Sequence, residues 1–375
     1  MRRNAICLMI GVVLMVFATA PVFAGGDGDK DFPVAPHLFS MPDVHATTVP
    51  SNGDLNPYGV AFVPNGFPEG GPINPGDVLV SNFNDLNNAQ GTGTTIVSIT
   101  PDGQTKLFFQ GPPPPGLGLS TALGILKKGF VIVGSVPSTN TSALGVCTNI
   151  QTDVGQGSLT ILNHHGKVVK TLTSENLLNG PWDLTLRDDV DHASVFVSNV
   201  LSGTVTRLDL KVFDDDVVVE QRTQIASGYA HRCDPAAFVV GPTGLALDLD
   251  TDTLYVASTA DNKIFEIHEA RERHSDTGTG HVFIDDPTHL HGPLGLVRSP
   301  NGDLITAQSD AVNPDPNQQS EIVEYGPNGH FVAEFSIEPN LPGSAFGMAI
   351  VPLKDGFRFA AVDDGINFLD VWDVR

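Results

Sequence analysis

The chain has 375 residues, 41% of them hydrophobic and 7% aromatic, enough for a sizeable core. Its 20 Lys and Arg against 43 Asp and Glu leave a net charge of −23. Such a field repels phosphate backbones and anionic lipid, which excludes nucleic acid as a partner and favours cations and neutral ligands.

The chain opens on a targeting pattern. Arg2 and Arg3 precede an apolar run from Ala5 to Ala18, and Val22-Phe23-Ala24 ends in a small residue before Gly25-Gly26. That is the order of a secretory signal peptide, and the run is too short to span a bilayer. The expected organisation is a signal peptide over 1–24, a linker over 25–32 and one folded unit over 33–375. The mature chain is expected to be secreted or periplasmic, with no membrane span. Cys147 and Cys233 remain after cleavage, and an oxidising compartment permits them to pair.

Next comes an isolated strand candidate, Pro36-His37-Leu38-Phe39-Ser40-Met41, with no earlier partner. A recurrent opening follows: Pro57-Tyr58-Gly59-Val60, Ala122-Leu123-Gly124-Ile125, Pro181-Trp182-Asp183-Leu184, Pro242-Thr243-Gly244-Leu245, Pro293-Leu294-Gly295-Leu296 and Ala345-Phe346-Gly347-Met348. The third positions lie roughly 50 to 65 residues apart, a period of stacked supersecondary units. Each opening leads to a β-branched or aromatic second strand, such as Val78–Val80, Val131–Val133, Val195–Val197 and Leu254–Val256. Third strands alternate, as in Leu208-Asp209-Leu210 and Phe265-Glu266-Ile267. Pro101-Asp102-Gly103 and Pro327-Asn328-Gly329 supply hairpin turns. The sixth unit stops at its third strand, Phe368–Asp373, so Pro36–Met41 is expected to supply the missing outer strand. The predicted fold is all-β: a six-bladed β-propeller of four-stranded blades, its last blade closed by an N-terminal strand.

These openings, together with Val195–Asn199, Leu254–Ser258, Gly203-Thr204-Val205 and Asn262-Lys263-Ile264, resemble the six-bladed propellers of the NHL-repeat and gluconolactonase-like (senescence marker protein) group. The resemblance covers nearly all of 33–375. It implies fold more than activity, because propellers host unrelated functions. It also implies a divalent metal held by carboxylate and amide side chains at the channel mouth, as in gluconolactonase-like enzymes. The early glutamate ligand of that group has no counterpart here, since Glu69 falls in a loop of the opposite face.

Strand order puts the loops between second and third strands on the same face as the joints between blades. The long insertions Ser81–Gly93, Gly134–Gly157 and Ser309–Gln319 fall there, where binding tends to reside. Cys147 and Cys233 share that face, so a disulfide is geometrically open to them. Asn82, Asn199, Asp310 and Asp363 follow second strands, and Asp183 replaces glycine in the third opening. Their oxygens suit a hard cation such as Ca²⁺, or they simply cap strand ends. His231, His289 and His291 precede the fourth and fifth openings and could hold Zn²⁺, as in the similar amidating-enzyme lyase propeller, or stand as surface histidines. Asp248-x-Asp250-x-Asp252 begins like a calcium loop, but Thr253 and Thr259 stand where such a loop needs Gly and Glu, leaving an acidic hairpin. No nucleotide or hydrolase motif is present. A module binding a protein or small-molecule ligand is expected first; the alternative is a metal-dependent lactonase or lyase at the channel mouth.

Overall fold

Six antiparallel four-stranded sheets follow one another in the computed structural model, which describes residues 33–112, 117–308, 312–315 and 318–375. The first blade comprises Leu55–Phe62, Val78–Asn84, Thr95–Ile99 and Thr105–Gln110, paired in chain order. The inner strands of the next five are Leu119–Leu126, Pro181–Asp188, Pro242–Asp248, Pro293–Arg298 and Ala345–Leu353. Each inner strand contacts the next, and the sixth contacts the first, so the ring closes. The regular helical segments among the described residues are two short 3₁₀ turns. None of the described helices is long and apolar enough to cross a membrane.

The recurrent glycine has two physical causes. In all six blades the register between inner and second strands slips at the opening, for example between Pro57 and Val60 and between Ala345 and Met348. That is a bulge, which turns the inner strand at the ring axis. The adjacent blade also fills the space a side chain would need. A Cβ on Gly347 would lie 1.7 Å from the Tyr58 carbonyl oxygen; on Gly295, 2.4 Å from that of Phe346; on Gly244, 2.5 Å from that of Leu294.

Hydroxyls satisfy carbonyls along the free inner edges. Ser81 Oγ donates to Ser120 O (2.9 Å), Ser120 Oγ to Pro181 O (2.8 Å), Ser198 Oγ to Thr243 O (2.6 Å) and Thr243 Oγ1 to Pro293 O (3.1 Å), each from one blade to the next. The core is correspondingly divided into six clusters: five lie between successive blades, such as Leu159, Ile161, Val195 and Leu208 between the second and third, and the sixth joins the first and last blades to the aromatic residues at the axis, Tyr58, Trp182 and Phe346. Second strands are covered on both faces, hence their unbroken apolar runs. The outer strand Val217–Ser227, which carried no clear signal in the sequence, is polar and largely exposed along one side.

The N-terminus closes the last blade, but with a strand that begins eight residues later than expected. The outer strand is Val44–Thr47, pairing Val44 with Val371 and Thr47 with Phe368. Residues Ala35–Phe39 instead form a 3₁₀ turn. Pro36 has no N–H for a ladder, and the buried residues Ala35 and Leu38 are three apart instead of alternating, leaving Phe39 and Met41 exposed. Glu324 holds the start of this turn, accepting from Val34 N (2.7 Å) and Ala35 N (2.8 Å). His45 Nδ1 lies 2.6 Å from Asp370 Oδ1 across the closing pair, and Trp372 Nε1 donates to Ser40 O.

Gly347→Ala is expected to cost roughly 3 kcal/mol or more, or to prevent folding, because backbone stands where the new methyl must go. Gly66→Ala has φ +80° but open space around it, and is expected to cost only about 1 kcal/mol. Urea unfolding of the two variants checks the contrast.

Candidate functional site

An aromatic plug divides the central channel. The second positions of the first, third and sixth openings place Tyr58, Trp182 and Phe346 at the axis. Tyr58 stacks on Phe83 (4.7 Å between centroids) and on Phe346 (4.5 Å), and Trp182 meets Tyr58 and Phe83 edge-on at 5.7 and 5.5 Å. Such pairs add about 0.5–1.5 kcal/mol each beyond burial. The third-position residues lie on the other side of this plug, which opens toward the hairpins joining first and second strands.

On the long-loop side lies a recess of about 210 Å³. Its floor is Tyr58, Trp182 and Phe346, and its roof is a hairpin between the third and fourth blades, Arg232–Asp234 paired with Phe238–Val240. Phe238, at φ +64°, packs toward Phe83. Cys147, in the long loop of the second blade, is disulfide-bonded to Cys233 of this hairpin, with 5.3 Å between Cα atoms. Gln90 Nε2 donates to Ala236 O (2.8 Å) and ties the first-blade loop to the same hairpin.

Four polar atoms around this recess are buried and have no partner: Asn56 Oδ1, Asn84 Oδ1, Gln90 Oε1 and Trp182 Nε1. A buried polar group left unsatisfied costs about 1–3 kcal/mol, so four lining one recess are unusual. Asn56 is held in the left-handed region, φ +60°, with its N–H on Asn367 Oδ1 at 2.7 Å. Asn84 Nδ2 is fixed on Asn88 Oδ1 at 2.7 Å. Asp364 also lines the recess; burial and then the neighbouring Asp363 push its carboxyl up to about 7. Burial and the Asp364 charge raise the Tyr58 hydroxyl well above its ordinary value.

The residues singled out from sequence are distributed differently. Asn82 Nδ2 donates to Thr48 O and Thr95 Oγ1, both at 3.1 Å. Asn199 donates to Thr206 Oγ1 and accepts from Asn179 N. Asp363 accepts from Gly365 N (2.9 Å) and is raised to about 6 by burial and then Glu338. Each of the three serves its own strand end, and none lines the recess. Asp183 faces the cavity on the far side of the plug. Asp310 lies outside the described residues. His231, His289 and His291 are engaged locally, by Tyr229 O at 3.1 Å, Asp286 Oδ2 at 2.7 Å and Thr288 O at 3.3 Å. Among the described residues no three His, Cys, Asp or Glu side chains gather as a metal-binding group. The donor chemistry of the recess is oxygen-only, which fits Ca²⁺ and not Zn²⁺.

No family model matches the chain, and no curated protein does. Solved structures do. A gluconolactonase from Xanthomonas campestris is 13% identical with a TM-score of 0.54, over 86% of this chain and 87% of that one. The Malassezia sympodialis allergen Mala s 1 is 11% identical, TM-score 0.54, over 89% and 95%. Regucalcin, a calcium-binding protein from Agrobacterium tumefaciens, is 14% identical, TM-score 0.50, over 88% and 95%. The fold is therefore that of the gluconolactonase- and regucalcin-like six-bladed propellers.

The raised carboxyls fix a sign for stability against pH. Asp364 at about 7, Asp363 at about 6 and Glu324 at about 7 all lie above their unfolded values near 4. Between those limits the folded chain keeps protons that the unfolded chain has lost, so stability falls as pH rises from about 4 to 7. Asp364→Asn is expected to flatten this decline by roughly 1–2 kcal/mol, read from urea midpoints at pH 5 and pH 8.

Proposed function

We propose that the chain is a small-molecule propeller whose working site is the long-loop-face recess, and that its ligand is a single sugar-sized polar ring of the lactone class. The observation that carries this is the set of four unpartnered polar atoms above an aromatic floor. A small ring with several hydroxyls lies against the edges of this aromatic floor and donates to Asn56, Asn84 and Gln90. Trp182 Nε1–H has an acceptor to find, and a lactone oxygen supplies one. The recess is below the volume of ordinary drug-sized sites, which restricts it to a small ring.

Of the two functional expectations, the metal-dependent lactonase gains support, because the fold neighbours include a gluconolactonase and a calcium-binding protein. With a Ca²⁺ ion present, Asn56, Asn84 and Gln90 would hold the ion in place of ring hydroxyls, and the ion would supply Lewis-acid polarisation of a carbonyl. Asp364 is the acid–base candidate, since a carboxyl near 7 exchanges protons at neutral pH. In lactone hydrolysis the oxygen of water bonds to the carbonyl carbon and the ring C–O bond breaks. Asp364 takes the proton of that water and returns it to the departing ring oxygen, leaving a hydroxy acid.

The secretory assignment belongs to this proposal. The pattern over 1–24 lies outside the described residues; the Cys147–Cys233 disulfide supports an oxidising compartment. Intact mass of the exported protein is expected to correspond to a chain beginning at Gly25.

Glucono-1,5-lactone with CaCl₂ and a pH indicator tests the site. Acid release above the spontaneous rate is expected, lowered about 10²-fold in kcat by Asp364→Asn, while Trp182→Phe raises KM. Gluconate binding by calorimetry without turnover would leave a binding module. No interaction with either compound would remove the reading.

A further inference from the structure

The cavity on the hairpin side of the plug has about 300 Å³ and a different chemistry. Its wall is built from inner-strand leucines and other aliphatics, including Leu123, Leu184, Leu245, Leu296 and Met348. Two charged side chains line it, Asp183 and Arg298. Arg298 is paired with Asp248 at 3.0 Å, although its Nε is buried without a partner. Asp183 stands where the other five blades carry glycine. Its carboxylate oxygens accept from Leu184 N at 2.8 Å and Leu245 N at 3.0 Å. No cationic side chain contributes to its electrostatics.

A purely structural link to Leu245 N needs only an acceptor, which an amide oxygen supplies without a charge. A carboxylate in an apolar channel carries a desolvation cost of several kcal/mol unless a cation compensates it. The polypeptide provides none at Asp183, while the net charge of −23 raises the local concentration of small cations around the molecule. The cavity is open toward the hairpins, apolar along its wall and acidic at its inner end.

We propose that this cavity is a second small-molecule site, distinct from the recess on the opposite face, and that it takes an amphipathic amine. The alkyl or aryl body lies along the leucine wall and the ammonium group sits on Asp183. Burial pushes the Asp183 carboxyl up to about 8 in the empty cavity, against the two N–H bonds that lower it. Binding an ammonium ion at neutral pH therefore expels a proton from that carboxyl. Arg298, the other charged group lining the cavity, is engaged with Asp248.

Calorimetric titration of the full mature chain with n-octylamine, 1-octanol and octanoate tests this. The titrations are run near pH 7 in phosphate and in Tris, buffers of different ionisation enthalpy. The expected result is octylamine binding at least roughly tenfold tighter than octanol, with a buffer-dependent enthalpy that reports proton release. Asp183→Asn keeps an acceptor for Leu245 N and is expected to weaken octylamine roughly tenfold and to abolish the buffer dependence. Equal affinity for octanol and octylamine would overturn the proposal, as would octylamine binding that Asp183→Asn leaves unchanged. Should that variant fail to fold, proton release on the unaltered chain decides: its presence supports the site and its absence overturns it. Activity at the opposite recess does not enter this readout.

Discussion

Six inner strands meet at one axis, each with an edge that has no partner strand, and the rest of the molecule is arranged around that crowding. The neighbouring blade approaches the Cα atom of the third position so closely, with backbone carbonyls at Gly244, Gly295 and Gly347 and leucine side chains at Gly124, that a methyl group has no place, which is why glycine recurs there in five of the six openings. The exposed carbonyls would otherwise be buried and unsatisfied. Hydroxyls at Ser81, Ser120, Ser198 and Thr243 reach across from the preceding blade and bond them. Between blades the ring is held by these hydroxyls from the first blade to the fifth, by further bonds such as Leu245 N to Asp183 Oδ2, and by apolar clusters.

The two proposed sites arise from departures from the repeat. Where the second position is aromatic, at Tyr58, Trp182 and Phe346, the channel fills and is cut in two. Where the third position is Asp183 instead of glycine, a carboxyl enters one half. The two cavities thus have opposite characters although the same six strands build both. One is amide-lined over aromatic rings, and the other is aliphatic with an acid at its inner end.

The fold was legible because its signals are local and repeated: the glycine at each bulge, the doubly buried second strands, and a sixth blade short of one strand. The pairing of Cys147 with Cys233 was open to inference from the shared face of their loops. Pro36–Met41 misleads as the closing strand because its composition is strand-like, while its burial follows a three-residue turn. Site residues were harder. Adjacent residues point to different sides, so Asp364 lines the recess where Asp363 does not, and Asp183 faces away from the recess that Trp182 floors. Asn56, Asn84 and Gln90 come from one blade and its loop and show no ligand spacing. The one local hint was an Asn before Pro57, a residue type that tolerates the left-handed backbone it adopts there.

Unpaired polar atoms in a folded protein are stable only when their surroundings over-determine them. Around the long-loop recess that condition is met from three directions. Asn84 is fixed by Asn88 on the first blade, Asn56 by Asn367 at the closing seam, and Gln90 by the roof hairpin. The roof is in turn covalently tied to the second blade across 86 residues of chain, a constraint that removes up to about 4 kcal/mol of unfolded-state entropy in the loop-closure picture. Neither Asn84 nor Gln90 can turn its amide to satisfy the free oxygen without breaking the bond its nitrogen already makes. The folding energy of the ring therefore maintains an unsatisfied set of acceptors and one donor. A ligand entering the recess meets them already in position, without the ordering cost that a mobile site would impose.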